Sequence, residues 1–371
     1  MLPEDFFLHI EEQFKNRLPF AAYRKPNDSA VKALLQSDDK LHAIQSFDES
    51  GFVFAPFDNS NKTILIPLVS SESLACEIEP SYLSNSIRDN IESNKIDKET
   101  HEILVQRGIE SIENGHLQKV VLSRCESIPF SEDQSISVFK RLLRRYPNAF
   151  VYCWYHPKVG LWLGATPETL ISISGNRFKT MALAGTQSYK GSVDVTWQNK
   201  EKEEQQLVTD YIEDSLMSSV DSLTVSEAKT VRAGNLLHLQ SNISGILNTD
   251  LHTVLKKLHP TPAVCGLPVI EANAFILENE SYSREYYTGF LGELNLKETT
   301  SRNTNRRNVE NSAYSSVKTV SHLFVNLRCM QIKNNQALIY IGGGITKDSN
   351  PEHEWEETVI KSETIKKELS N

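Results

Sequence analysis

A chain of 371 residues can bury a large core, and at ~150 residues per domain it holds about two units or one oversized one. Hydrophobic residues make up 39% and charged residues 23%, with 14 Pro and 16 Gly, a balance that excludes disordered and fibrous classes. A net charge of -9 and a pI near 5.7 oppose sequence-wide attraction to nucleic acid or anionic lipid, but leave room for a local basic pocket.

The N-terminus, Met1-Leu2-Pro3-Glu4-Asp5, is acidic where a signal peptide would be basic, and no apolar run approaches the ~20 residues that span a bilayer. A cytoplasmic protein is expected. Residues 4–16 and 29–36 read as amphipathic helices, and 51–55 and 63–68 as strands. Residues 1–98 are thus expected to form a partly independent N-terminal layer of the same fold. Its last part, the Ser-, Asn- and acid-rich stretch 77–98, is the candidate linker to a catalytic region at 99–371.

A helix from Glu99, with Ile103, Leu104, Val105, Ile109 and Ile112 on its apolar side, should stop at Gly115. A strand starts at Lys119-Val120-Val121-Leu122. Further strands are expected over 150–155, 161–164, 169–173, 178–183, 223–231, 236–246, 289–296, 323–332 and 337–341. Helices are expected over 136–145, 200–217, 250–258, 268–278 and 352–369. Most joins between strands are too short for a helical crossover, which predicts an α+β protein with large antiparallel sheets and helices packed outside. The Asn- and Ser-rich segment 299–316 reads as a mobile loop. Five widely spaced cysteines without CxxC spacing indicate reduced thiols rather than a disulfide framework or zinc site.

Chemistry concentrates in a few places. Asn350 and Pro351 suit the start of the last helix, so Glu354, Glu357 and Lys361 share one face. Glu201 and Glu204 form a similar pair on the helix near 200. Either cluster alone reads as a solvated surface with weak ion pairs. If the two faces meet, they make an all-oxygen site for a hard cation such as Mg²⁺. Lys119 could snorkel to the surface or, if buried, act as a general base. Glu168, in Ala165-Thr166-Pro167-Glu168, could sit in a simple turn or be a buried acid. Leu183-Ala184-Gly185-Thr186 and Ile341-Gly342-Gly343-Gly344-Ile345 end strands with small residues, as tight turns or as backbone cradles for a carboxylate. GxGxxG in a strand-to-helix setting, GxxxxGK[ST] and HExxH are all absent.

In order along the chain, these pieces resemble the chorismate-utilising enzymes. The resemblance rests on Lys119-Val120-Val121-Leu122-Ser123-Arg124, Gly164-Ala165-Thr166-Pro167-Glu168, Leu183-Ala184-Gly185-Thr186, and Lys200-Glu201 with Glu204 and Val208. It continues through His259-Pro260-Thr261-Pro262-Ala263-Val264, Gly266, Pro268, Arg284, Tyr287, Gly289, Gly292, Asn326-Leu327-Arg328, Gly342-Gly343-Gly344-Ile345, Glu354, Glu357 and Lys361. About residues 99–369 are covered. Within that family the pattern is similar to isochorismate synthases of the menaquinone and siderophore type. Enzymes of the anthranilate synthase type have glutamine at the place of Lys119, and aminodeoxychorismate synthases have lysine at the place of Ala184.

The resemblance implies an allylic displacement on chorismate. Lys119 would take a proton from water attacking C2, and Glu168 would protonate the departing C4 hydroxyl. Glu204 and Glu357 would hold Mg²⁺, with Glu354 assisting through a bound water. Arg328, Lys361 and the backbone at Gly185, Thr186, Gly342 and Gly344 would bind the two substrate carboxylates. No nucleic acid, membrane or amidotransferase partner is implied, and a monomer is expected. Gln205 stands where many relatives have histidine, and Gly343 replaces a common alanine. The alternatives are a salicylate synthase, which also eliminates pyruvate, and a non-catalytic chorismate binder.

Overall fold

The computed structural model describes residues 1–58, 61–78, 95–234, 236–300 and 316–369. Most of the candidate linker at 77–98 and of the candidate loop at 299–316 lies outside the described residues. Pro3, Glu4 and Asp5 open α1 (Pro3–Lys15) and Lys15 closes it, placements that suit the helix dipole, while Phe6, Phe7 and Ile10 are buried. The N-terminal strands are β1 (Phe20–Arg24), β2 (Ala30–Gln36), β3 (His42–Ala43), β4 (Gly51–Ala55), β5 (Ile64–Pro67) and β6 (Ser71–Glu77).

The segment expected as a helix over 29–36 is the strand β2. It lies between β1 and β6 and pairs with both. Val31, Ala33 and Leu35 pack with Phe6 and Phe7, whereas Leu34 faces the other way into a layer with Phe52. A strand buried on both faces loses the polar alternation that would distinguish it from a short helix, so periodicity misassigned it.

Next come α2 (Lys95–Glu113), β7 (Lys119–Pro129), α3 (Ser135–Arg145), β8 (Phe150–His156), β9 (Gly160–Thr166), β10 (Thr169–Ser174) and β11 (Arg177–Ser188). Gly115, at φ +76, follows α2 as expected, but Ile103 is 57% exposed and lies off the helix's buried side. Then follow α4 (Asn199–Met217), β12 (Val220–Val225), β13 (Lys229–Ala233), β14 (Leu236–Leu247), α5 (Leu251–Leu258), β15 (Gly266–Leu267) and α6 (Val269–Asn279). The chain closes with β16 (Phe290–Thr300), β17 (Ser316–Val325), β18 (Cys329–Lys333), β19 (Gln336–Ile345) and α7 (Pro351–Leu369).

Two expected strands are each broken in two. The stretch 223–231 falls on β12 and β13, which both pair with β14. The stretch 323–332 is divided at 326–328, where the chain leaves one sheet for the other. Asn326 stabilises that crossing by donating to the Tyr286 carbonyl and accepting from the Tyr152 hydroxyl, and Arg328 adopts φ +48.

Nine strands form one sheet in the order β15-β7-β19-β18-β9-β8-β1-β2-β6, and ten form the other as β12-β14-β11-β10-β17-β16-β4-β5-β3, with β13 beside β14. Pairing is antiparallel throughout the described residues. The expected α+β architecture of large antiparallel sheets with outer helices is therefore the observed one. Strands of the first 78 residues extend both sheets.

Side chains alternate between two apolar layers. On β8, Phe150, Tyr152 and Trp154 point into an aromatic layer between the sheets, while Val151, Cys153 and Tyr155 pack beneath α1 and α3. Phe150 stacks on Phe324 of the opposite sheet at 4.1 Å. Each such fully buried side chain contributes about 1.5–3 kcal/mol. The opposite outer face is covered by α4 and α5 through Val208, Ile212, Leu216, Val254 and Leu258. All five cysteines are free, and no helix is long and apolar enough to cross a membrane.

Candidate active site

Capping places the first two carboxylates. Gln198 and Glu201 form a reciprocal capping box at the start of α4, which uses Glu201 for the helix end and leaves Glu204 one turn in. At α7, the Asn350 side chain accepts from the backbone of Glu352 and His353. Glu354, Glu357 and Lys361 then follow at helical spacing and face β19. A single cavity is lined by Glu168, Gly185, Thr186, Glu204, Arg328, Gly342, Gly344, Glu357 and Lys361. Lys119 and Glu354 stand just behind that lining.

Lys119 opens β7 and is fully buried, with its Nζ 2.9 Å from Glu204 Oε1. Burial pushes the Glu204 carboxyl up, but Lys119, aided by Lys361 and Lys200, more than offsets this and holds it below its usual range. Glu168 sits in the turn between β9 and β10, 4% exposed, where burial raises its pKa to about 8 against the opposing charges of Lys119 and Arg328. At neutral pH it is mostly a neutral acid. Burial lowers Arg328 to about 10, so it remains a cation.

Each remaining acid has its own lysine. Lys361 lies 2.7 Å from Glu357 and donates to the Gly342 carbonyl at 2.9 Å. Lys200, part of the family resemblance but without an expected role, lies 2.7 Å from Glu354. Glu354 is raised by burial and by repulsion from Glu357, against the pull of Lys200.

The donor set suits a hard cation: carboxylate oxygens only, with two of them repelling each other. All three carboxylates lean over one backbone segment. A Cβ on Gly343 would stand 3.4 Å from Glu354 and 3.9 Å from Glu357, and one on Gly344 would stand 2.3 Å from Glu204. Held by their lysines, they are not gathered as tightly as Glu293, Glu298 and His322, whose ligand atoms lie within 4.8 Å of one another. That second group is already neutralised, because Glu293 pairs with Lys25 and Lys32.

The glycines make a testable contrast. Gly344→Ala would drive its methyl into Glu204 Oε1 and against Lys119 Cε at 3.2 Å. The carboxylate is the flexible partner, so it swings off Lys119 without unfolding the sheet, and turnover is expected to fall by about 100-fold or more, the cost of a small misplacement in a reacting site. Gly343→Ala meets only ordinary contacts and is expected to retain activity within about threefold, consistent with cores tolerating a methyl where space exists. Steady-state kinetics beside thermal melts of both variants check this.

Gln205 points away from the cavity. It is 3% exposed and donates to Thr209 and Ser241 at 2.9 Å each. His238 also lines the cavity, from β14. A lone histidine within Leu236-Leu237-His238-Leu239 carries no spacing signal, and only cross-strand pairing brings it opposite Gly185. Arg284 and Glu280 form a buried pair at 2.6 Å that also binds the β7 backbone at Val121 and Ser123.

Known proteins are similar to this chain in sequence and in fold. The family model described as chorismate binding enzyme matches residues 59–301, and a second one of that description matches 313–367. Isochorismate synthase MenF of Escherichia coli strain K12 is 30% identical over 68% of this chain and 56% of its own length. A vibriobactin-specific isochorismate synthase of Vibrio cholerae is 25% identical over 96% of this chain and 86% of its own. The chain therefore matches little more than half the length of the Escherichia coli relative. Among solved structures, the menaquinone-specific isochorismate synthase MenF of Escherichia coli superposes with a TM-score of 0.74 at 22% identity, covering 95% of this chain and 89% of that one.

Proposed function

Because the chain belongs to the chorismate binding enzyme family, we propose that it is an isochorismate synthase that converts chorismate to isochorismate with Mg²⁺. The observation that supports this reading is a buried acid raised to about 8 in the cavity wall, Glu168, with a fully buried lysine, Lys119, just behind that wall. Water needs a base to attack, and a hydroxyl needs an acid to leave.

Water adds at ring C2 and gives a proton to Lys119 in its neutral amine form, both ring double bonds shift by one position, and the C4–O bond breaks as Glu168 supplies a proton, so that water departs. Arg328 and Lys361, with the backbone at Gly185, Thr186, Gly342 and Gly344, receive the two substrate carboxylates. Glu204 and Glu357 would hold the metal, with Glu354 assisting. When bound, Mg²⁺ neutralises and orients a ring carboxylate.

Incubation with chorismate and Mg²⁺, followed by chromatography, tests the reading. Isochorismate is the expected product, and EDTA is expected to stop its formation. Salicylate with pyruvate would instead identify a salicylate synthase, and unchanged chorismate would end the enzymatic reading. Glu357→Gln is expected to raise the Mg²⁺ needed for half-maximal activity by about 10- to 100-fold or more, the range seen even for partners outside the ligand shell. An unchanged metal titration would remove Glu357 from the ligand set.

A further inference from the structure

His238 stands on β14 across from an irregularity in β11. Leu239 pairs with Ala184 and Leu237 with Gln187, so Gly185 and Thr186 together oppose the single residue His238. Such a bulge re-aims the strand locally, and Gly185 permits it at φ +71. His238 Nδ1 lies 2.9 Å from the Gly185 carbonyl oxygen, and its Nε2 lies 2.8 Å from Arg328 Nη2.

These neighbours decide the tautomer. A guanidinium only donates, so Nε2 must accept; a carbonyl only accepts, so Nδ1 must carry the hydrogen. The ring is neutral, in keeping with burial and then the Arg328 charge pushing its pKa down to about 3. Arg328 is held at its other arm by the Ala233 carbonyl, 3.0 Å from Nη1. Each Nη nitrogen carries a second hydrogen that an anion can receive. Because the peptide is planar and trans, turning the Gly185 carbonyl toward His238 points the Thr186 N–H the opposite way.

We propose that His238 is a positioning residue whose rigid, neutral ring joins Arg328 to the Gly185–Thr186 bulge and so sets the spacing of a grip for a substrate carboxylate. This rests on reading the cavity as the site where chorismate is bound. His238 holds the groups that hold the substrate and takes no part in the proton transfers.

Two polar substitutions divide the ring's functions. His238→Asn keeps a donor near the Nδ1 position and loses the acceptor for Arg328, whereas His238→Gln keeps an acceptor near the Nε2 position and loses the donor. KM for chorismate is expected to rise about tenfold or more in His238→Ala and His238→Asn with kcat much less affected, and His238→Gln is expected to recover most of that loss. Nitrogen-15 NMR of the wild-type protein, assigned by difference with His238→Gln, is expected to show a protonated Nδ1 and bare Nε2 from about pH 6 to 9, unlike a free histidine.

A protonated Nε2 in the neutral ring, titration near the ordinary ~6.5, wild-type KM in folded variants, or a loss confined to kcat would each overturn the proposal. Should His238→Gln fail to fold, the His238 signal is assigned by difference with whichever of His238→Asn and His238→Ala folds, and the wild-type spectrum still decides. Wild-type turnover is measured first, so failure to convert chorismate is distinguished from failure of the His238 assignment, which the spectrum tests independently.

Discussion

Replacing Glu168 by Gln is expected to lower kcat by about 10²–10⁴, the usual worth of a positioned general acid. The amide fills nearly the same space in a buried turn, but has no acidic proton to give to a departing hydroxyl. Chorismate affinity and the melting temperature should change little, since Glu168 is neutral in the folded protein at moderate pH and no ion pair is lost. The assay is isochorismate formation by chromatography beside a binding titration; a wild-type rate would remove Glu168 from the mechanism.

The same residue predicts a pH dependence. Burial raises its pKa to about 8 against the opposing charges of Lys119 and Arg328. The acid form is present below that value and is lost as pH rises through it, so kcat/KM should decline on the alkaline side of about 8. In Glu168→Gln, the residual activity should lose that limb.

Lys119→Ala is expected to lower turnover by a similar ~10²–10⁴ through loss of the base, but with a second signature. Its amine is fully buried 2.9 Å from Glu204. Removing one partner of a buried pair leaves the other charge uncompensated, at a cost of about 3–5 kcal/mol for a wholly desolvated site. The cost here should fall below that range, because Lys200 and Lys361 also act on Glu204. The metal-free variant should therefore melt below the wild type, and Mg²⁺ should restore more of its stability than it adds to the wild type, since a bound cation replaces the lost charge. Unimpaired kcat would exclude Lys119 as the base, and a melting temperature indifferent to Mg²⁺ would separate Glu204 from metal binding.

Where neighbours in sequence are also neighbours in space, the chain's own residues were enough. Asn350, Pro351 and the steps of three and four that follow determine that Glu354, Glu357 and Lys361 share a face of α7, because helical geometry is local. Short joins between strands likewise determined antiparallel sheets, and Gly115 ended α2 where a left-handed residue was needed. Local pattern failed at β2, covered on both faces, and at 326–328, where a run that looks continuous changes sheets.

The site needed the tertiary structure for the same reason. Lys119 meets Glu204, Lys200 meets Glu354, and His238 meets Arg328 only because strands and helices far apart in sequence pack around one cavity. A side chain's charge, tautomer and exposure depend on those distant neighbours. The residues alone left open whether Lys119 and Glu168 are exposed or buried; packing against partners distant in sequence buries both.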